Sequence, residues 1–164
     1  MDTSQRAAEN LLALIPQAIP LEVLENYGLT ITLSEAEALS VEILSLTMFW
    51  IKDALSAGIT ADYRKKVWGE ITGGLAREWN TKVGFETLTP SQFIEGMEKA
   101  HSAWDDIRDP GIEPITLFTQ AATDLETRGI LTSQTHQNAI GLFLDFVPVD
   151  EIGEVVSAIE QGLS

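Results

Sequence analysis

The chain has 164 residues, with 25 Asp and Glu against 10 Lys and Arg, for a net charge of −15. That balance repels phosphate backbones and anionic lipid, so neither nucleic acid nor membrane is expected as a partner. There is no Cys, which removes disulfides and thiolate metal sites, and a chain of this length with 45% hydrophobic residues is expected to form one domain, residues 1–164, around its own core.

The opening stretch MDTSQRAAEN has Arg6 as its one cation and lacks the basic start of a secretion signal. Residues 3–15 read as a helix ended by Pro16. Residues 20–27 read as a short helix that stops at Gly28, with Leu29 placed to fold back on Leu24 in a Schellman motif.

The stretch 34–57 is the one around which the rest is organised. Ser34 and Glu37 have capping-box spacing, Gly58 reads as a left-handed stop, and no Pro or Gly lies between. From Ile43 to Ile51 the apolar residues point in every direction, so this helix needs neighbours on most sides. The longest apolar run, Leu39–Ile51, carries Glu42 and falls short of the ~20 residues of a membrane span, which makes a cytoplasmic protein the expectation.

Thr60 caps a helix from 61 to about 80, in which Gly73-Gly74 predicts a kink or a close helix crossing. A loop is expected over 81–88. Thr89-Pro90-Ser91-Gln92 is the strongest helix start in the chain, with an N-cap Thr, Pro at N1 and Gln at N3, and the helix runs to Arg108, before Asp109-Pro110-Gly111. Residues 114–128 form a helix stopped by Gly129-Ile130. A helix capped by Thr132 or Ser133 reaches Val147, and one capped by Asp150 carries the apolar stripe Ile152, Val155, Val156, Ile159 and Leu163. No stretch alternates at period two with a partner to pair with. The fold class is therefore all-α, a single-domain bundle of about seven or eight helices packed around the central helix 34–57.

Three constellations are candidate sites. The first is an arc of Glu98, His101, Asp105 and Asp109 on one helix face, beside the apolar stripe Phe93, Met97, Ala100, Trp104 and Ile107. Glu98-Lys-Ala-His101 resembles the ExxH of ferritin-like di-iron bundles, which implies a carboxylate-bridged metal pair. The second ExxH of that family is missing, since Ser133 stands three residues before His136. Asp105-Asp106-Ile107-Arg108-Asp109 resembles the aspartate-rich motif of the all-helical isoprenoid synthases, which implies Mg²⁺ and a diphosphate substrate, but the family's second such motif is absent. A solvated acidic face is the simpler account of these residues.

The second constellation is Trp50, Trp68, Trp79 and Trp104, which could line an apolar cavity or simply fill the core. The helix order of the C-terminal half, with LFTQAATDLETRG (117–129) ending at Gly and two helices following, is similar to the carotenoid-binding helical domain of cyanobacterial photoprotective proteins. That resemblance implies a pigment cavity and assigns no residues.

The third is Arg64, Lys65 and Lys66, three cations at the positive end of a helix dipole. An acidic surface, on a second copy or on another protein, is the expected reason for them. The leading functional expectation is a protein–protein interaction module able to self-associate, without cofactor or catalytic apparatus. The second is binding of an apolar small molecule in a Trp-lined cavity. The third is a Mg- or Fe-dependent enzyme using carboxylates 98–109.

Overall fold

The computed structural model describes residues 2–107 and 113–163, and among them the chain is all-helical, with no strand. The helices are α1 (Thr3–Leu12), α2 (Leu21–Asn26), α3 (Leu33–Gly58), α4 (Ala61–Arg77), α5 (Pro90–Ile107), α6 (Pro114–Thr127), α7 (His136–Phe146) and α8 (Val149–Leu163). A π-helical turn at Trp79–Val83 follows α4. The expected stop at Asp109-Pro110-Gly111 lies outside the described residues.

α3 is surrounded. From Leu39 to Ile51 only Val41 is less than fully buried, and α2, α4, α5, α6 and α8 all pack against this helix. Two hydroxyls in the run find partners: Ser40 Oγ accepts from the Ile19 N–H at 3.0 Å, and Thr47 Oγ1 donates to the Ile43 carbonyl at 2.8 Å. Buried polar groups cost free energy unless bonded in this way.

Both ends of α3 differ from expectation. The N-cap is Thr32, not Ser34: Thr32 Oγ1 accepts from Glu35 N–H at 3.2 Å, and Thr32 N–H donates to Glu35 Oε1 at 3.0 Å. Glu37 is engaged elsewhere. Its Oε1 accepts from the Thr87 N–H at 3.1 Å and from the Thr87 hydroxyl at 2.6 Å, so it pins the loop before α5. Gly58 is not left-handed; the helix ends as Ile59 turns extended, with φ −118 and ψ 141. Glycine at 58 leaves room for the Glu160 carboxylate of α8, which a Cβ there would meet at 2.5 Å and push aside.

Other signals act as expected. Gly28 and Gly129 take φ of +79 and +80, and the Leu29 and Ile130 N–H groups donate to the Leu24 and Leu125 carbonyls, at 3.0 and 2.9 Å. Thr89 and Gln92 close a capping box at 3.0 and 3.2 Å. Gly74 marks a close crossing, since a Cβ there would meet Leu12 Cδ1 of α1 at 2.5 Å. α1 ends three residues earlier than expected, as proline disfavours the α conformation in the residue before it and the chain tightens into i→i−3 bonds at Leu14 and Ile15. The region 79–83 is a π-helical turn closed by Gly84 at φ +74, where a helix end and then a loop were expected. In α8, Ile152 and Val156 are buried and Val155 and Ile159 half-buried, against α3 and α1. Each of the two fully buried side chains contributes about 1.5–3 kcal/mol relative to exposure.

Candidate functional site

α3 and α5 lie side by side, and their spacing builds the site. Phe49, Lys52, Asp53 and Ser56 fall at i, i+3, i+4 and i+7 on α3, and His101, Trp104 and Asp105 at i, i+3 and i+4 on α5, so each set shares a face. Phe49 is the hub. Its ring stands edge-to-face against Trp50, His101 and Trp104, with centroids 5.9, 5.4 and 5.6 Å away, and the His101 and Trp104 rings are 5.7 Å apart. Such ring pairs add roughly 0.5–1.5 kcal/mol each beyond area burial.

The polar atoms of this cluster are not matched to its apolar ones. His101 is 1% exposed. Its Nε2 lies 2.9 Å from the Ser45 carbonyl, which places the proton on Nε2 and leaves Nδ1 as an acceptor. Burial lowers its pKa to about 4, against the opposing pull of the Ser45 bond, so the ring is neutral at pH 7. Nδ1 has no partner, and neither does the Trp50 or the Trp104 indole N–H. Among the described residues these three are the buried side-chain nitrogens and oxygens without a hydrogen bond. Each such group costs about 1–3 kcal/mol. Phe49 also forms one wall of a polar cavity of about 310 Å³ whose other walls are Lys52, Asp53, Ser56 and Asp105.

The structure thus brings together Trp50, Trp104, His101 and Asp105 from two constellations that the sequence kept apart. It does not bring together the four indoles. Trp68 lies on α4, with Lys52 Nζ 5.5 Å from its ring centre. Trp79 packs against Phe85 and Phe93, with centroids 5.5 Å away in both cases, and its N–H donates to the Leu88 carbonyl at 2.9 Å.

The acidic arc separates as well. Glu98 and Asp105 are exposed, whereas His101 is turned inward among the rings, and Asp109 lies outside the described residues. The solvated-face account therefore fails for His101, which sits at the edge of the apolar stripe and finds its partner on α3. No group of three or more His, Asp or Glu among the described residues is arranged to hold a metal ion.

Of the three cations, Arg64 has a structural reason. Its guanidinium lies 3.5 and 3.4 Å from the Ser56 and Ile59 carbonyls, at the end of α3 where backbone acceptors lack helical partners. The wrong end of one helix is here the right end of the preceding one. Lys65 and Lys66 are exposed.

Three charged groups escaped the sequence reading. Lys52 and Asp53 gave no motif. Glu42 stood as an oddity inside an apolar run, and that was its signal. It is 8% exposed, and burial raises its pKa to about 7, opposed by Arg128 and reinforced by Asp124. The Arg128 guanidinium is 3.9 Å away.

No helix among the described residues is long and apolar enough to cross a membrane. In comparison with known proteins, the chain matches no family model, no curated protein and no solved structure.

Proposed function

We propose that this chain is a non-catalytic binding module whose site is the α3–α5 aromatic cluster and the polar cavity beside it. The ligand is a small uncharged molecule bearing an amide or lactam. One observation carries the reading: the three unpartnered buried nitrogens all belong to a single cluster of rings, and that cluster shares Phe49 with the cavity. Buried polar groups in folded proteins are almost always bonded, so three orphans in one place ask for a partner that is not part of the chain. Two indole N–H donors and one imidazole acceptor match a carbonyl oxygen and its neighbouring N–H. Phe49 belongs both to the cluster and to the cavity wall, so on this reading a ligand enters from the cavity as the Phe49 ring swings aside. The cavity expected as apolar is polar on this reading.

Indole ¹⁵N–¹H spectra test it, with the four resonances assigned by single Trp→Phe changes and acetamide and benzamide as probes. The Trp50 and Trp104 resonances shift on titration and that of Trp79, already bonded to Leu88, stays. If neither moves with either amide at tens of millimolar, and no small molecule is released from the purified protein on denaturation, the reading is wrong.

A second reading keeps the expected protein contact. Lys65 and Lys66 are exposed and have no carboxylate within ion-pair distance among the described residues. In a chain of −15 they suit an acidic patch on a second copy. Light scattering at low and high salt checks this. An oligomer that dissociates with salt and is weakened by Lys65→Glu with Lys66→Glu supports it, and a monomer under both conditions removes it.

A further inference from the structure

We propose a second binding site, in the crevice between α1, α8 and the first turn of α4, for a monocarboxylate with a short apolar body. The crevice encloses about 260 Å³. Its shape follows from sequence. Thr3, Arg6, Ala7 and Asn10 occupy one face of α1, Val155, Ala158, Ile159 and Gly162 occupy the facing side of α8, and Tyr63 closes one end. The small side chains at Ala7, Ala158 and Gly162 leave the gap between two helices that are otherwise in contact.

The floor is apolar, formed by Ala7, Val155 and Ile159, and its polar groups, the Thr3 hydroxyl among them, can each donate a hydrogen bond. Arg6 contributes a guanidinium, Tyr63 a hydroxyl and Asn10 an amide. None of these three side chains has a hydrogen-bond or ion-pair partner among the described residues. Among the described residues the Arg6 guanidinium meets no carboxylate, which leaves its charge free to meet a ligand. An unpaired planar donor fork at the mouth of an apolar crevice complements an anion that is itself planar and carries an apolar tail. Phosphate lacks the tail, and an alcohol of the same length lacks the charge. Site and ligand are independent of the α3–α5 cluster, with which the crevice shares no residue.

Isothermal titration at neutral pH with octanoate, octan-1-ol and acetate tests the assignment. Octanoate binds at least ten-fold more tightly than either of the others. Arg6→Gln removes the preference of octanoate over octan-1-ol, and Ala158→Trp, which fills the crevice from an exposed position, weakens octanoate at least ten-fold. Thermal melts of both variants show whether the fold is retained, and Trp104→Phe leaves octanoate binding unchanged. Absence of octanoate binding at millimolar concentration, equal binding of the alcohol, or binding indifferent to Ala158→Trp in a folded variant overturns the proposal.

Discussion

Two aromatic clusters meet the same apolar demand in different ways. The first joins Trp79, Phe85 and Phe93 where the π-helical turn passes into α5, and the second joins Phe49, Trp50, His101 and Trp104 between α3 and α5. Ring separations are alike, between 5.4 and 5.9 Å, and both clusters are buried. The polar handles separate them. In the first, the indole N–H is bonded to the Leu88 carbonyl, which ties the loop before α5 to the π-helical turn. In the second, two indole N–H groups and one imidazole nitrogen have nothing to bond. Three orphans cost roughly 3–9 kcal/mol, a large part of the 5–15 kcal/mol by which a domain is usually stable. A buried Trp by itself says little about function, and the state of its N–H says more.

The second cluster alone holds a titratable ring, and that contrast can be sharpened with pH. His101 titrates near 4 when folded against 6.5 as a free side chain, so the folded state binds fewer protons between those values. Its contribution to stability is complete above 6.5 and is lost as pH falls toward 4. Glu42, one turn before Ser45 on α3, behaves oppositely. Its folded value near 7 exceeds the ordinary 4.5, so its contribution is complete below 4.5 and is lost as pH rises toward 7. Each is on the order of 3 kcal/mol, and the two slopes cancel over the shared window from 4.5 to 6.5. Arg128 and Asp124 face Glu42, and Lys52 and Asp105 face His101, and all four stay in place in the substitutions proposed. The difference between Glu42→Gln and wild type, followed by denaturant titration at several pH values, therefore rises with pH across that window. The difference for His101→Gln falls. A flat difference for either substitution removes that group from the account.

Much of the fold is legible because its signals are local. The Thr89–Gln92 cap, the stops at Gly28-Leu29 and Gly129-Ile130, and the crossing at Gly74 are each decided by a few neighbouring residues or by one missing Cβ. The departures were decided at long range. Thr32–Glu35 and Ser34–Glu37 have the same spacing, and the choice between them goes with the contact of Glu37 with Thr87. Gly58 has the look of a left-handed stop, but its φ is not positive and its neighbour is the Glu160 carboxylate on another helix. His101 lies at the edge of a helical stripe, where wheel arithmetic does not decide between core and solvent, and its partner is a carbonyl 56 residues away. The site was legible in its parts, since Trp50, Trp104, His101 and Asp105 were all candidates. Their meeting at Phe49 was not, because nothing in the sequence sets the register of α3 against α5.

The central claim is that the α3–α5 cluster carries unmatched donors and its counterpart does not, and the most direct test is a pair of identical substitutions. Trp79→Phe and Trp104→Phe remove the same atoms from indoles that are 4% and 1% exposed, so the transfer and cavity losses are closely similar. Trp79→Phe also strands the Leu88 carbonyl, whereas Trp104→Phe deletes an N–H that had no partner. With the midpoints and slopes of urea unfolding converted to free energies, the account predicts that Trp79→Phe destabilises by about 2 kcal/mol or more beyond Trp104→Phe. Equal losses, or a greater loss at Trp104, would contradict it.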